Sequence, residues 1–436
     1  MLAHGQPLFV HEVIDARPIG RFQYLAIGLC ILVAVLDGFD TQTIGMLAPS
    51  IGASLGVPVK AFGPVFGAGL VGMLLGAVVL GPLADRYGRK TMIVLSCMLF
   101  GSLSLATAYA QSLEQLLVLR LLTGIGLGGA LPNAIALASE YAPRRHARST
   151  VTTLMCGMPL GAVLGGAVCA LMLPRLGWQA VFVVGGVLPL AVALLIALTM
   201  PESARFLIAR GQDMARLAAI MRRIAPDLRG DESYRAADGA AAGVPIRLLF
   251  TEGRAAGTIL LWIPYFLNLV ALYFIVSWMP AVLIGAHHPA SVGIAAITAF
   301  SVGGVLGSLM QGALMNRFGA RPVLLCELLA YAALALVLAT WPHDYAVVIA
   351  ASLAIGVTVQ GAQAGLNALA AEIYPTRMRA TGIGCAVGIG RIGSISGPAL
   401  GGVLLGWNWS AGDIFMAGIV PALAAAIAVA VNRAPR

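Results

Sequence analysis

The feature that most restricts this chain is a series of about twelve apolar stretches, each near the roughly 20 residues a helix needs to cross bilayer hydrocarbon. They fall near 24–47, 61–81, 91–110, 113–137, 149–172, 178–199, 256–279, 291–315, 321–341, 345–370, 379–405 and 411–431. The 436 residues are 59% hydrophobic and only 10% charged, more apolar surface than a soluble protein of this length can hide. In lipid every backbone polar group has to be bonded internally, which leaves helices or a closed barrel. The alternation of a barrel strand is absent. The expected fold class is an all-α membrane protein of twelve transmembrane helices.

Charge placement orients them. The formal net charge is +9, and all but four of the 27 Lys and Arg flank the even-numbered loops and the two tails. The exceptions are Lys60 and Arg175 in odd-numbered loops, and Arg120 and Arg391 within helices. Positive residues concentrate on the cytoplasmic side, so both termini are expected there. The positive surplus is then topology and not a nucleic-acid footprint. The first 23 residues are polar and the first apolar run is long enough to span, so helix one is expected to serve as an uncleaved anchor. Six cysteines all fall in predicted helices without metal spacing, and are expected to act as small buried hydrophobes.

The chain divides into an N-terminal tail over 1–23, a six-helix bundle over 24–200, a cytoplasmic linker over 201–254, a second six-helix bundle over 255–431 and a tail over 432–436. The linker carries Pro226-Asp227, Gly230-Asp231-Glu232 and an Ala/Gly stretch; an amphipathic helix is expected near 202–224. The bundles repeat one another. Gly81-Pro-Leu-Ala-Asp85-Arg86-Tyr-Gly88-Arg89-Lys90, between helices two and three, recurs 231 residues later as Gly312-Ala-Leu-Met-Asn316-Arg317-Phe-Gly319-Ala-Arg321. Glu140-Tyr-Ala-Pro143 recurs as Glu372-Ile-Tyr-Pro375 at an offset of 232. Two pseudo-symmetric six-helix units with matched loops are the build of a rocking transporter whose substrate site lies at the midplane between them.

The G-x-L-A-D-R-x-G-R-K loop resembles the signature of the major facilitator superfamily, and the resemblance extends over the whole chain. Asp37-Gly38-Phe39-Asp40 in helix one narrows it. So do Arg120, Gly124-Ile-Gly126-Leu-Gly128-Gly129, Pro132-Asn133 and Glu140-Tyr141-Ala142-Pro143, with Pro201-Glu202-Ser203 after helix six. Together they are similar to the aromatic acid:proton symporter family, which imports benzoate, hydroxybenzoates, protocatechuate, vanillate and related carboxylates into bacteria. The resemblance implies a monomer in the bacterial inner membrane, partnered by the lipid bilayer. It implies an aromatic acid as substrate, a proton as coupling ion, and no cofactor or metal. It also ties the helix-four arginine, here Arg120, to proton transfer. The second copy of the loop departs from the signature, with Asn316 for Asp85 and Ala320 for Arg89. Met158-Pro159 stands where drug/proton antiporters tend to carry Gly-Pro, which disfavours export.

Asp37 and Asp40 stand three residues apart and project from one helix face. One charged Asp at a helix centre costs about 2.5–3.5 kcal/mol, and two together cost more unless one takes a proton. Intramembrane acids are functional by default, so the pair is the expected proton site; Thr41 and Thr43 could instead hold it as a structural pair. Asn268, 231 residues past Asp37, is its neutral repeat mate, which confines the expected proton chemistry to the first half. Arg120 is the expected link between proton and substrate. Glu140 is grouped with the proton machinery, and with Arg144 it also extends the loop's charge cluster. Arg391 sits about 18 Å along helix eleven from Arg379, near the midplane. A guanidinium there matches a carboxylate in bidentate fashion and is the expected substrate clamp.

Candidate walls for a ring-shaped ligand are Asn133, Tyr265, Phe266, Asn268, Tyr273, Trp278, Gln360, Gln363 and Asn367. Asp85, Arg86, Arg89, Lys90, Arg144 and Arg379 form an expected cytoplasmic gate, with Asp85 facing the start of helix eleven, where the helix dipole favours an anion. His287 and His288 are expected to be solvated. Two further functions stay open at this point: carriage of a non-aromatic organic anion or sugar-like metabolite, and a binding-only sensor. No nucleophile, metal cluster or nucleotide loop points to an enzyme.

Overall fold

A computed structural model describes residues 8–210, 214–226, 234–235, 245–375 and 378–432. Its spanning helices are α1 (Arg21–Leu55), α2 (Gly63–Tyr87), α3 (Arg89–Thr107), α4 (Leu113–Tyr141), α5 (157–176), α6 (178–199), α7 (Ala255–Gly285), α8 (Ala290–Phe318), α9 (Ala320–Thr340), α10 (Tyr345–Ile373), α11 (Arg379–Gly406) and α12, made of Ala411–Ala417 and Ile419–Val431. α5 and α6 join at Gly177, whose φ of 75° breaks an otherwise continuous rod. Several helices outrun the apolar stretches that mark them. α1, for example, starts at Arg21, where the Gln23 side chain accepts from the Gly20 N–H at 2.9 Å. A polar side chain that satisfies a free end lets a helix extend beyond its apolar segment.

The polar segments are less regular than expected. The N-terminal tail contains a helix, Val10–Asp15, with Val10, Val13 and Ile14 buried, and Leu8–Phe9 pairs in parallel with Tyr234–Arg235. A separate amphipathic helix, Arg144–Met155, precedes α5. In the linker the expected helix over 202–224 is two pieces, Ala204–Arg210 and Met214–Ile224. The second buries Leu217, Ala218, Ile220, Met221 and Ile224. Asp227, Gly230, Asp231 and Glu232 lie outside the described residues. Four cysteines are buried as expected, but Cys326 is exposed and Cys385 half-buried.

The described chain begins and ends on one face of the bundle, the near face. Buried apolar side chains make three clusters. The largest joins both halves toward the far face, with Phe39, Ile44, Leu47 and Phe66 from the first half and Trp278, Met279, Ile297 and Phe300 from the second. Toward the near face the core splits in two. One cluster comes almost wholly from the first half, the other from the second. Close contacts agree: Phe66 packs edge-on against Trp278 at 5.1 Å, Ser301 Oγ donates to Gln42 Oε1 at 3.4 Å, and Gly45 presses on the α7 backbone at Val276. The halves are closed together at the far face and parted at the near face.

Candidate functional site

α1 supplies both acids, and its neighbours give them different partners. Asp40 is 3% exposed and Arg120 of α4 is 4% exposed. Arg120 Nη1 donates to Asp40 Oδ2 at 2.9 Å, and Ser104 Oγ of α3 donates to Asp40 Oδ1 at 3.1 Å. Arg120 Nη2 reaches Thr107 Oγ1 at 3.1 Å, and the guanidinium lies over the Phe182 ring at 5.2 Å. A buried ion pair withstands desolvation when further hydrogen bonds take up its remaining polar atoms; Ser104 and Thr107 of α3 supply two here, while Arg120 Nε has no partner. Arg120 is thus the fixed counter-ion of Asp40.

Asp37 is fully buried and accepts from Thr41 Oγ1 at 3.2 Å, while its Oδ2 has no hydrogen-bond partner. The cation that acts on it electrostatically is Arg391 of α11, in the other half, and Arg391 acts likewise on Tyr273 of α7. Arg391 is half-buried. Although the two acids are only three residues apart, one is paired within the first half and the other across the two halves. A small cavity of about 30 Å³ opens beside Asp40, lined by Asp40, Thr41, Phe66, Arg120, Tyr273 and Ser277 among others.

The second half lines its inner side with amides. Asn268 Nδ2 donates to Gln363 Oε1 at 3.0 Å and to Val359 O at 3.1 Å, which ties α7 to α10. Tyr265 donates to Asn367 Oδ1 at 2.7 Å. Gln360 Nε2 is buried without a partner, its amide packed against Gly304 of α8. Asn133 differs from expectation: it is buried and donates to Gly129 O of its own helix at 2.8 Å, so its amide is already engaged. Trp278 is likewise a packing residue, its Nε1 donating to Pro398 O at 2.9 Å. His288 is held by Pro342 O at 2.8 Å, while His287 is exposed.

At the near face most residues of the expected gate pair within the first half. Asp85 and Arg379 are both exposed, and no contact between them is formed. The charges knit the first half to itself. Arg89 pairs with Glu140, whose Oε2 accepts from Ser203 Oγ at 2.5 Å. Glu202 accepts the Lys90 N–H at 2.9 Å and the Thr91 hydroxyl at 3.3 Å, which caps the start of α3. Lys90 Nζ donates to Ala197 O at 2.8 Å, Arg86 O accepts from Arg210, and Arg144 pairs with Asp15 at 3.4 Å. Glu140 lies 20 residues beyond Arg120 on α4, about 30 Å away, so it belongs to this network and is not beside the aspartates.

Two acids of consequence were not singled out from the sequence. Glu202 was quoted only as part of a motif, yet it is the side chain that holds the loop. Glu327 is buried on α9 beside Gln311. Its signal was available, since it interrupts the apolar stretch 321–341; it places a buried acid in the half where no proton chemistry is expected.

The family model of the Major Facilitator Superfamily matches residues 30–297 and 261–436. Relatives extend over almost the whole chain. A 4-hydroxybenzoate transporter of Pseudomonas putida is 39% identical over 98% of this chain and 96% of its own length. A gallate transporter of the same species is 37% identical over 98% and 95%. The chain belongs to the major facilitator superfamily, among its aromatic acid transporters. It is a multi-pass membrane transporter and not an enzyme. The fold matches solved members too: the xylose transporter XylE from E. coli, in a partially occluded inward open conformation, superposes with a TM-score of 0.71 at 18% identity, covering 94% of this chain and 97% of that one. As a facilitator, the protein places its buried charges where its halves meet, and places its loop signature where the first half closes on itself.

Proposed function

We propose that this transporter imports an aromatic carboxylate of the hydroxybenzoate or benzoate class together with a proton, by alternating access across the bacterial inner membrane. The observation that carries the proposal is that Arg391 of the second half acts electrostatically on the buried Asp37 of the first. Two acids and two arginines make the empty site electrically neutral. A substrate carboxylate that pairs with Arg391 displaces Asp37 and leaves one buried negative charge in excess, which is costly in a membrane. One proton on Asp37 removes that excess, so anion and proton enter together, one for one. The Asp40–Arg120 pair stays closed and fixes α1 on which Asp37 rides.

The relatives named for 4-hydroxybenzoate and gallate support the substrate class. With positive residues concentrated at the near face, that face and both termini are assigned to the cytoplasm. The structure then corresponds to an inward-facing state of a monomer. Asp85 without a cross-half partner fits that state, since a gate contact forms only when the near face closes.

The test is uptake of labelled aromatic acids into proteoliposomes under an imposed pH gradient. We expect 4-hydroxybenzoate-type acids to accumulate, the gradient to be needed, and a protonophore to abolish accumulation. Accumulation that ignores the pH gradient would end the symport assignment. Transport of non-aromatic acids or sugars alone would end the substrate assignment.

A further inference from the structure

Glu327 is an acid that the mechanism above does not use. It lies on α9, about 10 Å in from the near end of that helix, and is 9% exposed. Gln311 Nε2 of α8 donates to its Oε2 at 3.2 Å. The remaining oxygens face one another over Gly361 of α10. A Cβ at that glycine would sit 2.7 Å from Glu327 Oε1 and 3.3 Å from Gln311 Oε1. Gln311 is 3% exposed and its Oε1 has no donor. Two acceptor oxygens therefore converge on the space beside Gly361, and that of Gln311 has no donor.

The charges around Glu327 sharpen the point. From α8 it meets Gln311, from α10 the backbone at Gly361, and no Lys, Arg, His or second acid among the described residues interacts with it electrostatically. A carboxylate without a cation in such a place is unfavourable. The first half contains the same pocket without the acid. At the repeat-related positions, a Cβ on Gly129 would meet Leu80 and Ser96. Only the second half has been equipped with an acid and an amide.

We propose that Glu327 is a proton-binding site, a neutral carboxylic acid whose O–H occupies the shared space. It donates to Gln311 Oε1 while its carbonyl oxygen accepts from Gln311 Nε2. Acid and amide then close a ring of two hydrogen bonds, and every buried polar atom of both side chains is satisfied. The rival occupant is a sodium ion, which two converging side-chain oxygens serve poorly. The inference rests on the membrane setting of α9 and not on proton coupling at Asp37.

The experiment is infrared difference spectroscopy on the full-length protein in sodium-free lipid vesicles at neutral pH, wild type against Glu327→Gln. We expect the carbonyl band of a protonated carboxyl in the wild type, and its loss in the variant. Gln311→Leu is expected to keep the band and move it to higher frequency, because the carbonyl loses its donor. Absence of the band from the difference spectrum, an unmoved band in Gln311→Leu, or loss of the band when sodium is added would each overturn the proposal. Labelling with a hydrophobic carbodiimide gives an independent readout in unmodified protein. The acid O–H adds across the reagent's C=N bond, so only a protonated Glu327 gains the adduct mass; an unlabelled Glu327 overturns the proposal as well. Neither readout uses transport, so a failed uptake assay and a failed proton site are distinguishable.

Discussion

The two halves share a fold and a loop pattern but not an electrostatic design. The first half buries Asp37, Asp40 and Arg120 near its middle and staples its near face with Arg89, Glu140 and Glu202. At the repeat-related positions the second half has Asn268 for Asp37 and Ala271 for Asp40. It faces the interface with Tyr265, Tyr273, Asn268, Gln360 and Gln363, and reaches across with Arg391. One half holds charge that is already paired. The other holds neutral hydrogen-bonding groups and a cation whose partner can be exchanged. Repetition supplied the scaffold, and divergence gave the two halves different buried side chains.

The largest effect expected from breaking this asymmetry is at Arg120. Arg120→Leu leaves Asp40 buried without its cation, a loss of about 3–5 kcal/mol for a broken buried pair. We expect a large drop in thermal stability of the purified protein and no transport. Asp40→Leu added to Arg120→Leu removes the stranded charge, and is expected to recover much of the melting temperature without recovering uptake. A double variant no more stable than the single would mean that Thr107, Ser104 and Phe182, and not the pair, hold this region.

Next in size is Asp37→Asn. The amide copies the protonated acid, so Arg391 is released permanently to the substrate. We expect accumulation against a gradient to disappear, while exchange of labelled for unlabelled substrate persists. Loss of both would show that Asp37 is needed for binding itself. Tyr273→Phe is the milder change on the same cluster. A hydrogen bond to a charged group contributes about 1.5–3 kcal/mol, so substrate affinity is expected to fall by about tenfold or somewhat more, with accumulation retained. An unchanged affinity would remove Tyr273 from the site.

These residues were legible in the sequence to different degrees, for physical reasons. A charge in an apolar stretch is conspicuous because lipid penalises it, so Asp37, Asp40, Arg120 and Arg391 could be found from pattern alone. Their pairing could not, because Asp37 and Asp40 differ by only three positions and which neighbour each meets depends on how α3, α4 and α11 pack. Glu327 stood in plain view inside helix nine, and it was the missing repeat mate that drew attention away from the second half. The near face was least legible. Asp85 carries the motif's acid, yet Glu202, more than a hundred residues away in the chain, binds the start of α3. Helix spans follow from hydropathy, whereas caps and ion pairs follow from which loop folds back onto which helix end.

The smallest effect tests that last difference. Gly88 and Gly319 are repeat mates with φ of 95° and 85°, in a region of backbone space that side chains avoid. Alanine at either position is expected to cost about 1–3 kcal/mol from the backbone alone. At Gly319 the added methyl meets nothing closer than Pro322 at 3.8 Å. At Gly88 it collides with the Glu202 carboxylate and drives it off the α3 N-terminus, which adds the loss of a cap at about 0.5–2 kcal/mol. Gly88→Ala is therefore expected to lower the melting temperature more than Gly319→Ala, with the excess falling away when Glu202 is already replaced by Ala. Equal losses in the two halves would mean that Glu202 stabilises nothing at the loop. The loop chemistry would then be as symmetric as the fold, and the asymmetry between the halves would be confined to the membrane interior.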